Sequence, residues 1–380
     1  MNRINEPITF VVKQEDIATL LSEMKLTCNQ GSSFYSIAAG SSANNGIKPM
    51  YKELILDKEF YLAMCIVAQP DLYVRMRSAG VKGISKTRLH KSNSEGGIVV
   101  LTEQGEGDDI IITMFDNYKS FLHKWAHEFI GSVEAPVANY IPPELGLEEF
   151  MLILHTIDSY RRVTYHNLLD HVYIEKAYVK ISEFTRTMAE SLTKLDIRWL
   201  LPAFMAVTPG IEQYITNMEA KNLGILMTHN FFAEGLLGSG EEVLVFAEAG
   251  QVMGLEFLHS WLISFGFEIN IDFGNGFKTV ERFFVAPTIL TNHFVRLRDL
   301  QGGKAMVNHQ TYVNEQLMSR MDELFVKALT LKIMPTPTAQ TVVPLAQAAP
   351  PLPIAKFCRN CGTKLADGAV FCVNCGAKII

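Results

Sequence analysis

The stretch Phe121–Phe129, FLHKWAHEF, recurs later in the chain as Phe257–Phe265, FLHSWLISF. Five of the nine positions are identical, and two of the three tryptophans of the chain, Trp125 and Trp261, are the fifth residue of their copies. Self-similarity of this kind indicates one supersecondary unit that is used twice. We therefore expect a core of two related halves, each closed by a helix whose Phe, Leu and Trp side chains share one buried face.

The composition is that of a globular protein with more than one domain. The 380 residues are 48% hydrophobic and 19% charged, and a chain of this length exceeds a single core. The formal net charge is -6, so no overall positive field draws the protein to nucleic acid or anionic lipid. The N-terminal residues lack the apolar run of a signal peptide, and no apolar stretch reaches the roughly 18 residues of a membrane helix. The sequence predicts a cytoplasmic protein.

Both halves show the same predicted order of elements. The first half is predicted to contain a strand at 8–12, helices at 15–24 and 57–68, a proline break at 70, a hairpin at 97–114 and the repeat helix at 115–133. The second half repeats this order, with a strand at 178–181, helices at 183–195 and 199–207, a proline break at 209, a hairpin at 225–246 and the repeat helix at 252–266. The strands of this hairpin are predicted at 225–228 and 242–246. The predicted fold class is α+β, with two pseudo-symmetric repeats of antiparallel sheet plus helices.

Other segments connect or follow these repeats. Their predicted structures are a loop at 28–47, helices at 146–162 and 165–171, a second hairpin at 269–284 and a last helix at 312–332. Residues 335–353 carry six prolines among Thr, Ala and Gln, which is typical of an extended tether. The predicted boundaries are 1–137 for the first repeat, 138–334 for the linking helices and second repeat, 335–356 for the Pro-rich linker and 357–380 for a small C-terminal domain.

Several possible sites within the core have simpler explanations. His123 and His127 stand four residues apart, but Ile263 replaces the second histidine in the other copy and no third ligand is indicated. The pairs at 161–162 and 296–298 are interpreted as solvated arginines. Phosphate-loop, dinucleotide-binding and nucleophile-elbow motifs do not occur in the sequence, which argues against an enzyme. Cys28 and Cys65 have no basic neighbour in sequence that would activate them.

The C-terminal segment carries the one specific chemical motif. It reads Phe357-Cys358-Arg359-Asn360-Cys361-Gly362, and after eight residues Phe371-Cys372-Val373-Asn374-Cys375-Gly376. Two Cys-x-x-Cys pairs in a chain without a secretory signal are typical of a metal site. Four thiolates fill a tetrahedral zinc shell and leave no open position, so we predict one structural Zn²⁺ bound by Cys358, Cys361, Cys372 and Cys375 in a zinc ribbon.

The charge of this segment does not decide its partner. Residues 356–380 carry four cationic side chains and one Asp, and the zinc–thiolate centre adds a charge of -2, which leaves about +1. Phosphate binding relies on several clustered cations. A protein contact is therefore favoured over nucleic acid, without excluding it.

The pattern of the core resembles the EspG family of ESX (type VII) secretion-associated proteins. The resemblance covers about residues 8–330. It rests on Leu62–Val74, which contains Ala68-Gln69-Pro70-Asp71-Leu72, on the hairpin 98–114, and on their copies around Val207-Thr208-Pro209 and Leu244. Members of that family are cytosolic bacterial chaperones that hold helical secreted proteins before export. The resemblance thus implies a non-enzymatic protein-binding function, and no substrate-contacting residue is carried over from it.

Three functions stay open on the sequence. The first is a cytosolic adaptor or chaperone whose sheet and helices bind a protein partner, such as a helical secreted substrate. The second is a zinc-ribbon regulator or nucleic-acid-associated protein. The third is an enzyme with an unfamiliar site. Neither the identity of the partner nor the oligomeric state follows from the residues.

The zinc ribbon should fold independently of the core. A unit this small has too few apolar residues for its own core, so metal binding supplies most of its folding free energy. We expect that Cys358→Ser combined with Cys361→Ser abolishes zinc binding and unfolds residues 357–380 only. Zinc content and the thermal unfolding of the core would be measured together. A large loss of core stability in this variant would contradict the tether interpretation.

Overall fold

A computed structural model of the chain describes residues 6–40, 46–131, 139–173, 176–211, 223–260, 262–299 and 305–331. The chain divides into two compact units, Met1–Met334 and Pro335–Ile380, and every described residue belongs to the first. The predicted linker, the zinc ribbon with its four cysteines, and Trp261 of the repeated stretch lie outside the described residues. The predicted α+β class is confirmed.

The strands of the described residues are paired antiparallel throughout. They are β1 Ile8–Lys13, β2 Leu72–Gly80, β3 Gly83–Lys91, β4 Val99–Gln104, β5 Asp109–Phe115, β6 Glu144–Gly146, β7 Tyr178–Lys180, β8 Phe232–Leu236, β9 Glu242–Phe246, β10 Ser264–Asp272, β11 Phe277–Pro287, β12 Asn292–Asp299 and β13 Ala305–Tyr312.

Helices of very different length connect these strands. They are α1 Ile17–Glu23, α2 Tyr35–Gly40, α3 Lys58–Ala68, α4 Tyr118–Phe129, α5 Leu147–Leu169, α6 Ile181–Thr193, α7 Leu200–Val207, α8 Gly224–Thr228, α9 Glu248–Leu258 and α10 Asn314–Leu331. None of the helices in the described part of the chain has the length and apolar character needed to cross a membrane.

Two sheets organise the strands. The large sheet has the order β1-β5-β4-β3-β2-β10-β11-β12-β13-β6, and the small sheet has the order β7-β9-β8. In both sheets the first strand of a predicted repeat pairs with the second strand of that repeat's hairpin, as β1 with β5 and β7 with β9. A helix then follows each hairpin, α4 in one case and α9 in the other. This common order is what the sequence pattern predicts for two related units.

Helices cover the large sheet on both faces. On one face α4 and α10 pack against apolar residues of β2, β10, β11 and β12. The opposite face carries two separate layers: α1 and α3 cover the β1–β5–β4 end, while α5, α7 and α9 pack over β11, β12 and β13. Strands β2 and β3 lie between these two layers, where the sheet carries charged residues instead of apolar ones.

The second copy of the repeated stretch is only partly helical, so the predicted helix at 252–266 is wrong at its C-terminal end. Helix α9 ends at Leu258, and Phe265 belongs to strand β10. Gly266 does not end a helix: a Cβ at this position would lie 1.9 Å from the carbonyl oxygen of Val207. The chain is extended here because β2 and β11 pair with it on either side, and glycine is required at 266 because the end of α7 lies too close for any side chain.

The two copies consequently occupy different positions in their units. Phe121 is the fourth residue of α4, whereas Phe257 is the tenth residue of α9. The predicted core packing of the stretch is nevertheless correct for Phe121, Leu122 and Trp125, which are buried. The two copies also touch, because the ring of Trp125 lies edge-on to Phe265 with 5.0 Å between centroids.

Three further predictions need correction. Residues 225–228 form a helix, and the first strand of the second hairpin is Phe232–Leu236. The helices predicted at 146–162 and 165–171 are one continuous helix, α5. The loop predicted at 28–47 contains the short helix α2.

Gly266 should be intolerant of any side chain. We expect Gly266→Ala to lower the free energy of unfolding by about 3 kcal/mol, because the added methyl group must displace backbone and not a flexible side chain. Urea unfolding of the two proteins measures the difference. Gly238→Ala is the matched control, since a Cβ there meets no atom within 4 Å. Equal stability of both variants would contradict the close approach of α7 to β10.

Candidate functional site

A groove with both apolar and charged walls lies beside the C-terminal half of α5. We call it the α5 groove. Its walls come from α5, α6, the segment before α7 and the β2–β3 turn, and its volume is about 850 Å³. Apolar lining residues include Val81, Leu169 and Leu262, and the charged ones include four arginines at positions 161, 162, 186 and 198. Such a combination of apolar walls and a few oriented polar groups is typical of a binding site.

Two of these arginines are arranged around Trp199. The guanidinium carbon of Arg162 lies 3.9 Å from the centroid of the Trp199 ring, and that of Arg161 lies 5.2 Å from it. Arg162 donates a hydrogen bond to Ser191 Oγ at 3.3 Å and forms no ion pair with the described residues. Burial lowers the pKa of Arg162. A half-buried arginine without a carboxylate partner is a place where an anionic group of a ligand would be favourable.

The position of Arg161 is fixed by a buried carboxylate. Asp158 is fully buried, pairs with Arg161 at 3.0 Å, and accepts hydrogen bonds from the backbone N–H groups of Leu200 and Leu201 at 2.7 and 2.9 Å. It therefore caps the N-terminus of α7 from the middle of α5. Burial raises the pKa of Asp158, while Arg161 and the two N–H groups act in the opposite direction. This contact holds α5 and α7 together beneath the α5 groove.

The structure corrects the interpretation of the arginine pairs as solvated. Only 5% of Arg161 is exposed. In the second pair, Arg296 makes a two-pronged ion pair with Glu281, and both side chains are largely buried between β11 and β12. The sequence contained one usable signal, Asp158 three residues before Arg161. Trp199 and Glu281 come from distant parts of the chain and give no local signal.

An exposed apolar stripe extends from the α5 groove. Beyond its buried N-terminal half, α5 carries Tyr165, Leu168 and Leu169 at helical spacing, and Val172 and Tyr173 follow shortly after the helix ends at Leu169. There the side chains are exposed by between 41% and 89%: Tyr165, Leu168, Leu169, Val172 and Tyr173. We call these five residues the apolar stripe. Large apolar groups at helical spacing normally face a partner, so this stripe indicates a contact surface.

The most elaborate polar cluster of the core is closed to solvent. Nε2 of His293 lies 3.0 Å from Glu256, and its Nδ1 lies 3.0 Å from His309, which in turn contacts Asn139 at 3.2 Å. If Asn139 donates to His309, His309 to His293, and His293 to the Glu256 carboxylate, every ring nitrogen of the two histidines has a hydrogen-bond partner. Thr288 also donates to Glu256. At most 4% of Glu256, His293 or His309 is exposed, so a substrate cannot reach them.

The pKa shifts in this cluster follow from burial and from the histidine row. Burial alone would raise the pKa of Glu256, but the hydrogen bonds that its carboxylate accepts from His293 and Thr288 outweigh burial and lower the pKa. Burial and repulsion from His293 place the pKa of His309 well below its usual value. The cluster is best described as a hydrogen-bonded part of the core.

The remaining candidates within the core are also accounted for. His123 and His127 are exposed on α4. Among the described residues, no group of three or more His, Cys, Asp and Glu side chains is arranged to hold a metal ion. Burial raises the pKa of the Cys28 and Cys65 thiols, which opposes formation of a reactive thiolate.

Comparison with known families identifies one part of the chain. Residues 357–379 match the zinc-ribbon domain, which confirms the predicted C-terminal zinc ribbon. No curated protein matches the chain. The matched range contains all four cysteines of the motif, and four thiolates are a donor set that suits tetrahedral Zn²⁺. A zinc-ribbon domain implies zinc binding, while Cys358, Cys361, Cys372 and Cys375 stay predicted as its ligands.

Buried histidines should make the core sensitive to acid. Burial lowers the pKa of His90 and of His155 to about 3. The unfolded chain takes up a proton at each site below about pH 6.5, whereas the folded chain does not. The free energy of unfolding should thus be unaffected by these two groups above pH 6.5. Below it, each histidine should lower that free energy by about 1.4 kcal/mol per pH unit, until the folded pKa is reached.

Urea unfolding between pH 7.5 and 5.0 measures this slope. His155 donates to the Phe184 carbonyl at 3.0 Å, and its Nδ1 has no partner. His155→Gln should therefore make the slope shallower by about 1.4 kcal/mol per pH unit. The exposed His123→Gln is the control and should leave the slope as it is. An unchanged slope in the His155 variant would show that this histidine is not buried as a neutral ring.

Proposed function

We propose that the protein is a non-enzymatic, cytosolic adaptor or chaperone that binds a helical segment of a protein partner in the α5 groove. The observation that carries this proposal is the apolar stripe, because three large apolar side chains at the end of α5 and two just after it are exposed next to one another in sequence. Helical partners commonly dock their apolar face into such a surface. A helical secreted substrate, as in the type VII secretion chaperones that the core pattern resembles, is one partner of this kind.

The charges around the groove specify the partner further. Arg186 and Arg198 are already paired with Glu190 and Asp196, each at 2.7 Å. Arg162 is the cation that lacks a carboxylate, and it lies between these pairs on the Trp199 ring. The partner that fits is a helix with apolar side chains for the stripe and an Asp or Glu side chain for Arg162. An ion pair desolvated by the Trp199 ring would add specificity to the apolar contact.

In this proposal the zinc ribbon is an accessory module. Its four thiolates leave no open coordination position, so the predicted metal has a structural function. The six prolines at 335–353 are typical of an extended tether, so the ribbon would be available to contact a second component. A nucleic-acid-associated regulator is the alternative function, and it would place the essential contacts in the ribbon.

A capture experiment separates the two functions. Tagged full-length protein and the Cys358→Ser, Cys361→Ser variant would be used to purify partners from the native cytosol, with and without nuclease. A helical protein that both forms retain after nuclease treatment, and that binds when purified, would support the adaptor. Partners that disappear with nuclease and with the ribbon variant would replace it by the nucleic-acid function.

The apolar stripe should carry the affinity for that purified partner. We expect Leu169→Asp to weaken binding by about tenfold or more, because it places an unpaired charge in the middle of the apolar contact. Leu236→Asp is the matched control, since Leu236 is 70% exposed on β8 and Leu169 is 74% exposed on α5. Isothermal titration calorimetry would measure both variants. Equal affinity of the two variants would place the binding surface elsewhere.

A further inference from the structure

A second site lies between the two helical layers that cover one face of the large sheet. Four cationic side chains of β2 and β3 meet there in two directly opposed cross-strand pairs, Arg75 with Arg88 and Arg77 with Lys86. Like charges directly opposite each other destabilise a sheet. The two pairs are two residues apart along the strands, so they place four positive charges on the same face of the sheet.

The contacts of these cations orient them without fully neutralising them. Arg88 donates to the carbonyl oxygens of Gly31 and Ser32 at 3.2 and 2.9 Å, and Arg77 donates to that of Ala206 at 3.4 Å. Lys86 is exposed and forms no ion pair with the described residues. Carbonyl oxygens accept hydrogen bonds but carry no net charge, and each guanidinium has five N–H donors to share. A positive field consequently remains over β2 and β3.

Negative side chains near this patch are few. Glu268 lies 3.5 Å from Nε of Arg75, but it is shared with Arg282, at 3.0 Å. Glu103 alternates along β4 with Thr102 and therefore points to the other face. Its pKa is raised by burial and responds to Lys124 and Glu128 of α4, which lies on that other face. Glu268 therefore divides its negative charge between Arg75 and Arg282, and none of the ion pairs among the described residues involves Arg77, Lys86 or Arg88.

The space over the patch is a cleft of about 780 Å³. Besides the cations, the hydroxyl groups of Ser33 and Thr102 and the amide of Gln104 line it. Neighbouring strands are about 4.8 Å apart, and residues 75 and 77 are about 6.6 Å apart along β2. The Cα atoms of the four cationic residues therefore lie close together, at the corners of a rectangle of about these dimensions. We call this space, with Arg75, Arg77, Lys86 and Arg88 on its floor, the junction cleft.

We propose that the junction cleft binds a ligand that carries two or more phosphate groups. Phosphate offers three strong acceptor oxygens and about two negative charges, which match guanidinium and hydroxyl donors better than a single carboxylate does. Each opposed pair can take one phosphate, so the two pairs select for neighbouring phosphates. This positive site lies on a chain whose net charge is -6, and it is independent of the α5 groove.

The test uses the full-length protein and tripolyphosphate as the probe at low salt. We expect the probe to raise the melting temperature of the wild type, and Lys86→Gln to bind it about tenfold less tightly in calorimetry. Without the probe, Lys86→Gln should be at least as thermostable as the wild type, because its repulsion with Arg77 is removed. Lys52→Gln, an exposed lysine distant in sequence from the patch, is the control and should bind as the wild type does.

Further probes identify the source of the phosphates. A short single-stranded oligodeoxythymidylate that binds more tightly than tripolyphosphate supports a nucleic acid. In that case, the slope of the logarithm of the binding constant against the logarithm of the salt concentration should become shallower by about 0.7 for each phosphate contact that Lys86→Gln removes. Weaker binding than tripolyphosphate supports a small phosphorylated ligand. The proposal is overturned if tripolyphosphate causes no rise in melting temperature, if Lys86→Gln responds as the wild type does, or if polyglutamate binds equally well.

Discussion

The pairing of β2 with β10 is the contact on which the core depends. Eight residues of β10 pair with eight of β2, from Ser264 opposite Ala79 to Ile271 opposite Leu72. This seam joins the strands of the first repeat to those that follow the second, so ten strands form one sheet. Its apolar face holds Phe265 and Phe267 against Trp125 of α4, and its other face holds Gly266 against the backbone of α7. One pair of strands thus positions α4 on one face of the sheet and α7 on the other.

Local patterns were enough to predict much of the first repeat. Asp57 caps α3 through hydrogen bonds to the N–H groups of Glu59 and Phe60, and the sequence predicted a helix start there. The hairpin of β4 and β5 and the last helix α10 were also predicted close to their observed bounds. The zinc ribbon was recognisable for the same reason, because its ligands are close in sequence.

Predictions failed where the deciding contact was distant. Strand β3 was missed because its exposed part alternates Ser, Lys, Thr and Arg in place of clear apolar residues. The second copy of the aromatic stretch was predicted as helix, yet Phe265 is extended because β2 and β11 pair with it on either side. The α5 groove combines Arg162 with Trp199, which are 37 positions apart (199 − 162), and only the packing of α7 on α5 brings them together. Tyr165, Leu168 and Leu169 of the apolar stripe lie within the helix predicted at 165–171, but nothing in the sequence predicts that these side chains are exposed.

The order of the strands has a consequence for synthesis of the chain. After β2 ends at Gly80, 183 residues intervene (264 − 80 − 1) before β10 begins at Ser264. At about 5–20 residues per second, β2 is an open sheet edge for roughly 10–40 s while the ribosome completes its partner. Open edges pair with other chains unless charges prevent it. Arg75 and Arg77 lie on that edge, so the same cations that line the junction cleft would also keep neighbouring nascent chains apart until β10 arrives.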